Sequence, residues 1–214
     1  MIGRIAPKAS NEHKYISVTI NYFTKLVEAA SYSMLKAKHV AWFLENNIIC
    51  RFGIPQEIIF DNGSHFEGEV QRVMEEYGIE HHKSSPYPPQ ANRAMEAANK
   101  NVKNILAKMV VTYEDWAGKL PFALWGYRTS IRASTRATSY SLVYSSEAVL
   151  PIEVEIQSLR VLIENKVLEE DWAKARYEQL ALIDEKRARA QYHAQGYQKK
   201  GCQSIQQESK TKKP

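Results

Sequence analysis

Cysteine, long apolar runs and an even spread of positive charge are what this sequence has little of. Two cysteines in 214 residues, Cys50 and Cys202, build neither a disulfide framework nor a cysteine-based zinc site, which points to a reducing, intracellular setting. Cys50 sits in an apolar run and reads as a buried thiol. No apolar stretch approaches the ~18–20 residues that cross a bilayer, and Met1-Ile2-Gly3-Arg4-Ile5 has no signal-peptide core. Membrane partners are therefore not expected. The formal charge of +5 would favour a polyanion, but residues 199–214 hold five lysines against Glu208, leaving only +1 for the rest. The histidines do not supply zinc-site spacing either. His13, His65, His81 and His82 read as surface or strand residues.

What is present is one α/β core's worth of apolar sequence, 44% hydrophobic and 25% charged. Tyr15–Ile20 alternates as a strand, with Ile16, Val18 and Ile20 on one face, and Leu26–Tyr32 returns as its hairpin partner. Lys36–Cys50 reads as a helix with Val40, Phe43, Leu44 and Ile48 on its apolar stripe, stopped by Gly53-Ile54-Pro55. Glu57–Phe60 is a short strand, His65–Tyr77 a helix and Ile79–Lys83 a strand. Asn92–Val111 has the clearest helical period, with Met95, Ala98, Val102, Ile105, Leu106 and Met109 on one side. Tyr113–Arg128 is a further helix in which Pro121 is expected to cause a kink or a restart. Residues 132–160 read as an irregular connector, apart from the apolar Ser141–Tyr144 and Ala148–Ile156. Residues 161–198 form a charged helical extension with Leu168, Trp172, Ala175 and Leu182 on one side, and 199–214 a disordered basic tail. Trp116, Trp125 and Trp172 read as packing anchors. Arg128, Arg132 and Arg136 follow at helical intervals, near a helix end expected at Thr129.

Two acids stand in settings that invite chemistry. Asp61 follows an apolar strand, and Asn62-Gly63 allows a sharp turn that leaves the carboxylate exposed; the same triplet also makes an ordinary turn. Glu96 lies on the polar side of the Asn92–Val111 helix, where it also suits an i,i+4 pair with Lys100. Carboxylates converging at a strand end hold hard divalent cations well. Around Glu96 the basic residues Lys83, Arg93, Lys100, Lys103 and Lys108 outnumber the acids, a pattern that fits phosphate contact. The preceding loop, Ser84 to Gln90, offers Tyr87 as a stacking aromatic.

Four motifs give these residues a family context. Asn21-Tyr22-Phe23-Thr24-Lys25, Asp61-Asn62-Gly63-Ser64-His65-Phe66, Ser85-Pro86-Tyr87-Pro88-Pro89-Gln90-Ala91-Asn92 and Glu96-Ala97-Ala98-Asn99-Lys100 resemble the integrase catalytic core of gypsy-type LTR retrotransposons, itself related to retroviral integrases. The resemblance implies an RNase H-like mixed sheet flanked by helices over residues 1–131. It also implies metal-dependent polynucleotidyl transfer, DNA integration at element ends and target DNA, self-association and a nuclear location, with no small-molecule substrate. It makes Asp61 and Glu96 catalytic ligands of Mg²⁺ or Mn²⁺. Tyr87, Gln90, Asn92, Lys100 and Lys103 would touch nucleic acid.

The departures are as informative. The family's first catalytic aspartate belongs to a central strand just ahead of the segment matched by residues 1–5, so that strand is expected to be largely truncated here, the metal weakly bound and transfer impaired. Asn21 occupies a position where relatives carry an aspartate, but on the second strand. Arg93 replaces an expected glycine, Phe60 a threonine, and Pro88 a commonly basic or polar loop residue; Arg93 is expected to stiffen the loop and crowd the site. The alternative reading is a non-catalytic nucleic-acid-binding or oligomerising remnant of a retroelement polyprotein.

Overall fold

Tyr15–Ile20 (β1) and Val27–Tyr32 (β2) form an antiparallel pair in the register Tyr15↔Tyr32 through Ile20↔Val27. The computed structural model describes residues 5, 8–60, 68–83, 89–110, 115–150, 152–153, 156 and 168–211; of residues 83, 89–92 and 200–211 it describes the backbone alone. The β1–β2 turn is built by Asn21, whose Oδ1 accepts from the N–H groups of Phe23 (3.1 Å) and Thr24 (2.9 Å) and from Thr24 Oγ1 (3.0 Å). Lys25 follows at a positive φ, with its ammonium 4.3 Å from the Tyr22 ring centroid, and burial lowers its pKa. Asn21 is thus a turn-forming residue. Asn21→Ala is expected to lower stability by about 2 kcal/mol through the lost acceptor, read as a reduced urea midpoint at unchanged slope.

Ala37–Phe43 (α1) continues through a π-helical stretch, Leu44–Ile49, into the short Cys50–Phe52 (α2). The i→i+5 turns re-phase the helix. Val40, Phe43 and Leu44 are buried as their spacing predicts, and Gly53, at φ +87, ends the run where glycine alone enters that region without strain. Cys50, by contrast, is an exposed free thiol: the apolar run around it supplies a buried stripe, and Cys50 falls off that stripe.

Glu57–Phe60 (β3) and Glu80–Lys83 (β4) pair in parallel, joined through Glu69–Glu76 (α3). Ile58 and Phe60 pack, with α1 and α3, into a cluster around Val70, Val73, Met74 and Ile79. A second cluster joins Ile16, Val18 and Val27 to Ala98, Val102 and Leu106 of Pro89–Met109 (α4) and to Trp116, Leu120, Ala123, Leu124 and Tyr127 of Trp116–Thr129 (α5). Pro89 opens α4, where its missing N–H has no intrahelical partner to lose. α5 is one helix through Pro121 and does not restart there, one of the two outcomes expected of it. Leu120, Ala123 and Leu124 are buried on both sides of it and hold the backbone helical.

The result is a mixed α/β arrangement of small sheets flanked by helices. Among the described residues the antiparallel and parallel pairs are not joined by a shared strand. Ile5 donates its N–H to the Lys14 carbonyl at 2.7 Å and packs against the β1 cluster.

The chain divides into two compact units, Met1–Tyr127 and Arg128–Pro214. The second contains a two-residue strand pair, Ile131–Arg132 (β5) and Ala137–Thr138 (β6), and the helix Ser139–Tyr144 (α6), capped by Thr138 Oγ1 accepting from the Ser141 N–H at 3.0 Å. Order thus appears inside a segment whose composition reads as irregular. Glu169–Ala181 (α7) and Ile183–Thr211 (α8) follow. α8 passes through Lys199 to Thr211, so the polar composition there does not end the helix. Trp172 is 54% exposed and is not a packing anchor within the chain, whereas Trp116 is buried. Among the described residues no helix is long and apolar enough to cross a membrane.

Candidate active site

The site is set by how α4 is held. Ala98, Val102 and Leu106 recur every four residues and are buried against β1, which fixes the rotation of the helix about its axis. That rotation turns Arg93, Glu96, Lys100 and Lys103, spaced at intervals of three, four and three, to the outside, and all four are exposed. Residues at such spacing lie one above another along a helix, so the four span about 15 Å at 1.5 Å per residue. A carboxylate flanked by three cations gives this solvent-facing ridge a net positive charge, the sign that attracts phosphate oxygens. Arg93 extends the row that Lys100 and Lys103 begin.

The other predicted residues stand as follows. β3 delivers the chain to Asp61, but Asp61 itself lies outside the described residues, as do Tyr87 and His65. Gln90 and Asn92 belong to the first turns of α4, with only their backbone described. Among the described residues no group of three or more His, Cys, Asp or Glu side chains could hold a metal ion, so Glu96 belongs to no such cluster.

The histidines serve the sheets. His13 Nδ1 lies 2.8 Å from Ser31 Oγ, and His82 lies 3.8 Å from Glu57 across the β3–β4 pair. Arg128, Arg132 and Arg136 do not share a helix face: α5 ends at Thr129, Arg132 lies in β5 and donates to the Ser130 carbonyl, and Arg136 sits in the following turn at φ +53.

Known proteins of similar sequence and fold are retroviral and retrotransposon ones. No protein-family model matches the chain. It is 32% identical over 137 residues to the Pol polyprotein of radiation murine leukemia virus (strain Kaplan), an alignment covering 63% of this chain and 23% of that protein. It is 24% identical over 175 residues to the transposon Tf2-3 polyprotein of Schizosaccharomyces pombe, covering 71% of this chain and 13% of that one. In structure it resembles the catalytic core domain of BIV integrase, with a TM-score of 0.52, 24% identity, and coverage of 64% of this chain and 88% of that one. The chain is similar in sequence to retroviral and retrotransposon Pol polyproteins and similar in fold to integrase catalytic cores. A chain of the simian T-cell lymphotropic virus intasome, in complex with PP2A regulatory subunit B56 gamma, gives a TM-score of 0.56 at 21% identity, covering 71% of this chain and 54% of that one. The chain thus spans under a quarter of the length of the polyproteins it matches.

Proposed function

We propose that this chain is the DNA-handling core of a gypsy-type retrotransposon integrase, and that as a 214-residue polypeptide it binds DNA but transfers strands poorly. The observation that carries the reading is the exposed row Arg93, Glu96, Lys100 and Lys103 on a helix whose opposite face is locked into the core. Lys100 and Lys103 neutralise backbone phosphates. Tyr87, Gln90 and Asn92, at the entry to the same helix, contact the bases or sugars beside them. The kinship with Pol and transposon polyproteins supports this assignment. Residues 1–131 form the core and 161–198 an extension, with DNA ends and target DNA as partners and the nucleus as the place of action.

Asp61 and Glu96 are the ligands proposed for Mg²⁺ or Mn²⁺, which prefer carboxylate oxygen. When bound, such an ion supplies charge stabilisation at the attacking and leaving oxygens of a phosphodiester. The 214 residues match two of the three acids the resemblance requires, so the ion is held weakly. What the chain's own residues contribute is grip and orientation of the duplex.

Fluorescence anisotropy with a labelled duplex tests the binding half. Affinity should fall log-linearly with salt, and Lys100→Glu with Lys103→Glu should weaken it by about 10–100-fold and flatten the salt slope by roughly 2. Asp61→Asn should leave it intact. Binding indifferent to salt and to both lysines would sink the reading. For the catalytic half, strand transfer in Mg²⁺ or Mn²⁺ should be near background; robust transfer abolished by Glu96→Gln would overturn the impairment.

A further inference from the structure

The helical run from α1 to α2 holds one residue more than an α-helix would, and the packing on either side of it shows what that residue does. Within Leu44–Ile49 the turns close over five residues, and the Cys50 N–H reaches back to the Glu45 carbonyl. An α-helix can set Leu44 and Ile48 on one face, but at about 100° per residue it turns Ile49 about 140° away from Leu44. The wider turn brings Ile48 and Ile49 together onto the cluster around Val70, beside the buried Leu44.

A second consequence falls at the end of the run. Each residue beyond the wide turn stands where its predecessor would stand in an unbroken α-helix, about 100° back. Arg51 therefore takes the direction that Cys50 would have. Its Nη1 donates to Glu28 Oε2 at 3.0 Å, while Cys50 is left in solvent. Against these contacts stands Asn47, whose Oδ1 is buried and accepts no hydrogen bond among the described residues. The neighbouring Asn46 Nδ2 donates to the Trp42 carbonyl at 3.0 Å and does not serve it. The packing of Ile49 and the Glu28–Arg51 pair favour the wide register; the buried amide oxygen and the less common turn oppose it.

We infer that this segment is a two-register helix with the Glu28–Arg51 pair as its latch. With the pair in place the wide turn persists. Without it the run closes into a continuous α-helix, which turns Cys50 inward to face β2 and carries Arg51 about 100° onward. Residues 53–56 join the run to β3, so the register is passed on to the start of that strand. The device rests on no chemistry assigned to Asp61 or Glu96.

The test uses the full chain with Cys202→Ser, so that Cys50 is the one thiol, and follows its rate of reaction with an aromatic disulfide reagent. Glu28→Leu removes the latch without stranding a charge, because Arg51 is 42% exposed and can turn to solvent. The rate should fall by about tenfold with unchanged circular dichroism, since only the minor register then presents the thiol. Deleting Asn47 takes out the extra residue and fixes the α-helix with Arg51 still toward Glu28 and Cys50 still outside. In that background Glu28→Leu should leave the rate within about twofold. An unchanged or faster rate in Glu28→Leu alone, or the same slowing in the Asn47-deleted chain, would overturn the inference. So would failure of the deleted chain to fold, since a segment with an α register open to it tolerates losing that residue.

Discussion

Val102→Asp is expected to abolish DNA binding without touching a single DNA-facing residue. Val102 is fully buried on α4, packed with Ile16 and Val18 of β1 and with α5. A carboxylate there has no place to be solvated, and burying an unpaired charge costs several kcal/mol, on the scale of a whole domain's stability of about 5–15 kcal/mol. The Lys100–Lys103 row would lose its fixed direction together with the core. Val102→Ala provides the graded control. It removes two methyl groups, should cost about 2 kcal/mol, and should leave affinity for a duplex within about twofold at a temperature where the variant is folded. Thermal melts with anisotropy on the same samples check this. A folded, DNA-binding Val102→Asp chain would mean that α4 does not use this face.

The second large effect is expected at Arg51→Leu. Arg51 Nη1 lies 3.0 Å from Glu28 Oε2, and the Glu28 side chain is only 5% exposed while Arg51 is 42% exposed. Glu28 belongs to β2 and Arg51 to α2, so the pair ties the antiparallel sheet to the end of the helical run whose Val40, Ala41 and Leu44 pack in the cluster around Val70. Removing the guanidinium leaves a buried carboxylate without that cation. Such a change costs 3–5 kcal/mol when both partners are buried, and about 2–3 kcal/mol here because Arg51 reaches solvent. The double change Glu28→Leu with Arg51→Leu should recover most of that loss, since an apolar pair needs no desolvated charge. Urea unfolding of the two variants decides it. If the double variant is no more stable than Arg51→Leu alone, the carboxylate is held by something other than this pair.

Much of the fold was legible along the chain. The period-two alternation at Tyr15–Ile20 and the 3.6-residue period of α4 are local, and both appear with the faces they predict. The site was legible to the extent that it rides on α4. Once Ala98, Val102 and Leu106 are the buried stripe, Arg93, Glu96, Lys100 and Lys103 have nowhere to go but outward. Cys50 was misread because apolar neighbours do not say on which side of a helix a residue falls. Pro121 does not restart the helix, because local propensity counts the lost N–H but not the core contacts on either side of it.

The sequence by itself therefore determined which residues share a face: the basic row on α4 and the apolar stripes are properties of spacing along a helix. What each face meets was decided only by the tertiary structure. β1 takes the inner face of α4, α6 takes the inner face of α7 and α8, and Trp172, as apolar as Trp116, is left in solvent. Periodicity is fixed by the turn of the backbone over a few residues, whereas burial depends on segments far away in the chain that arrive against a face and exclude water from it.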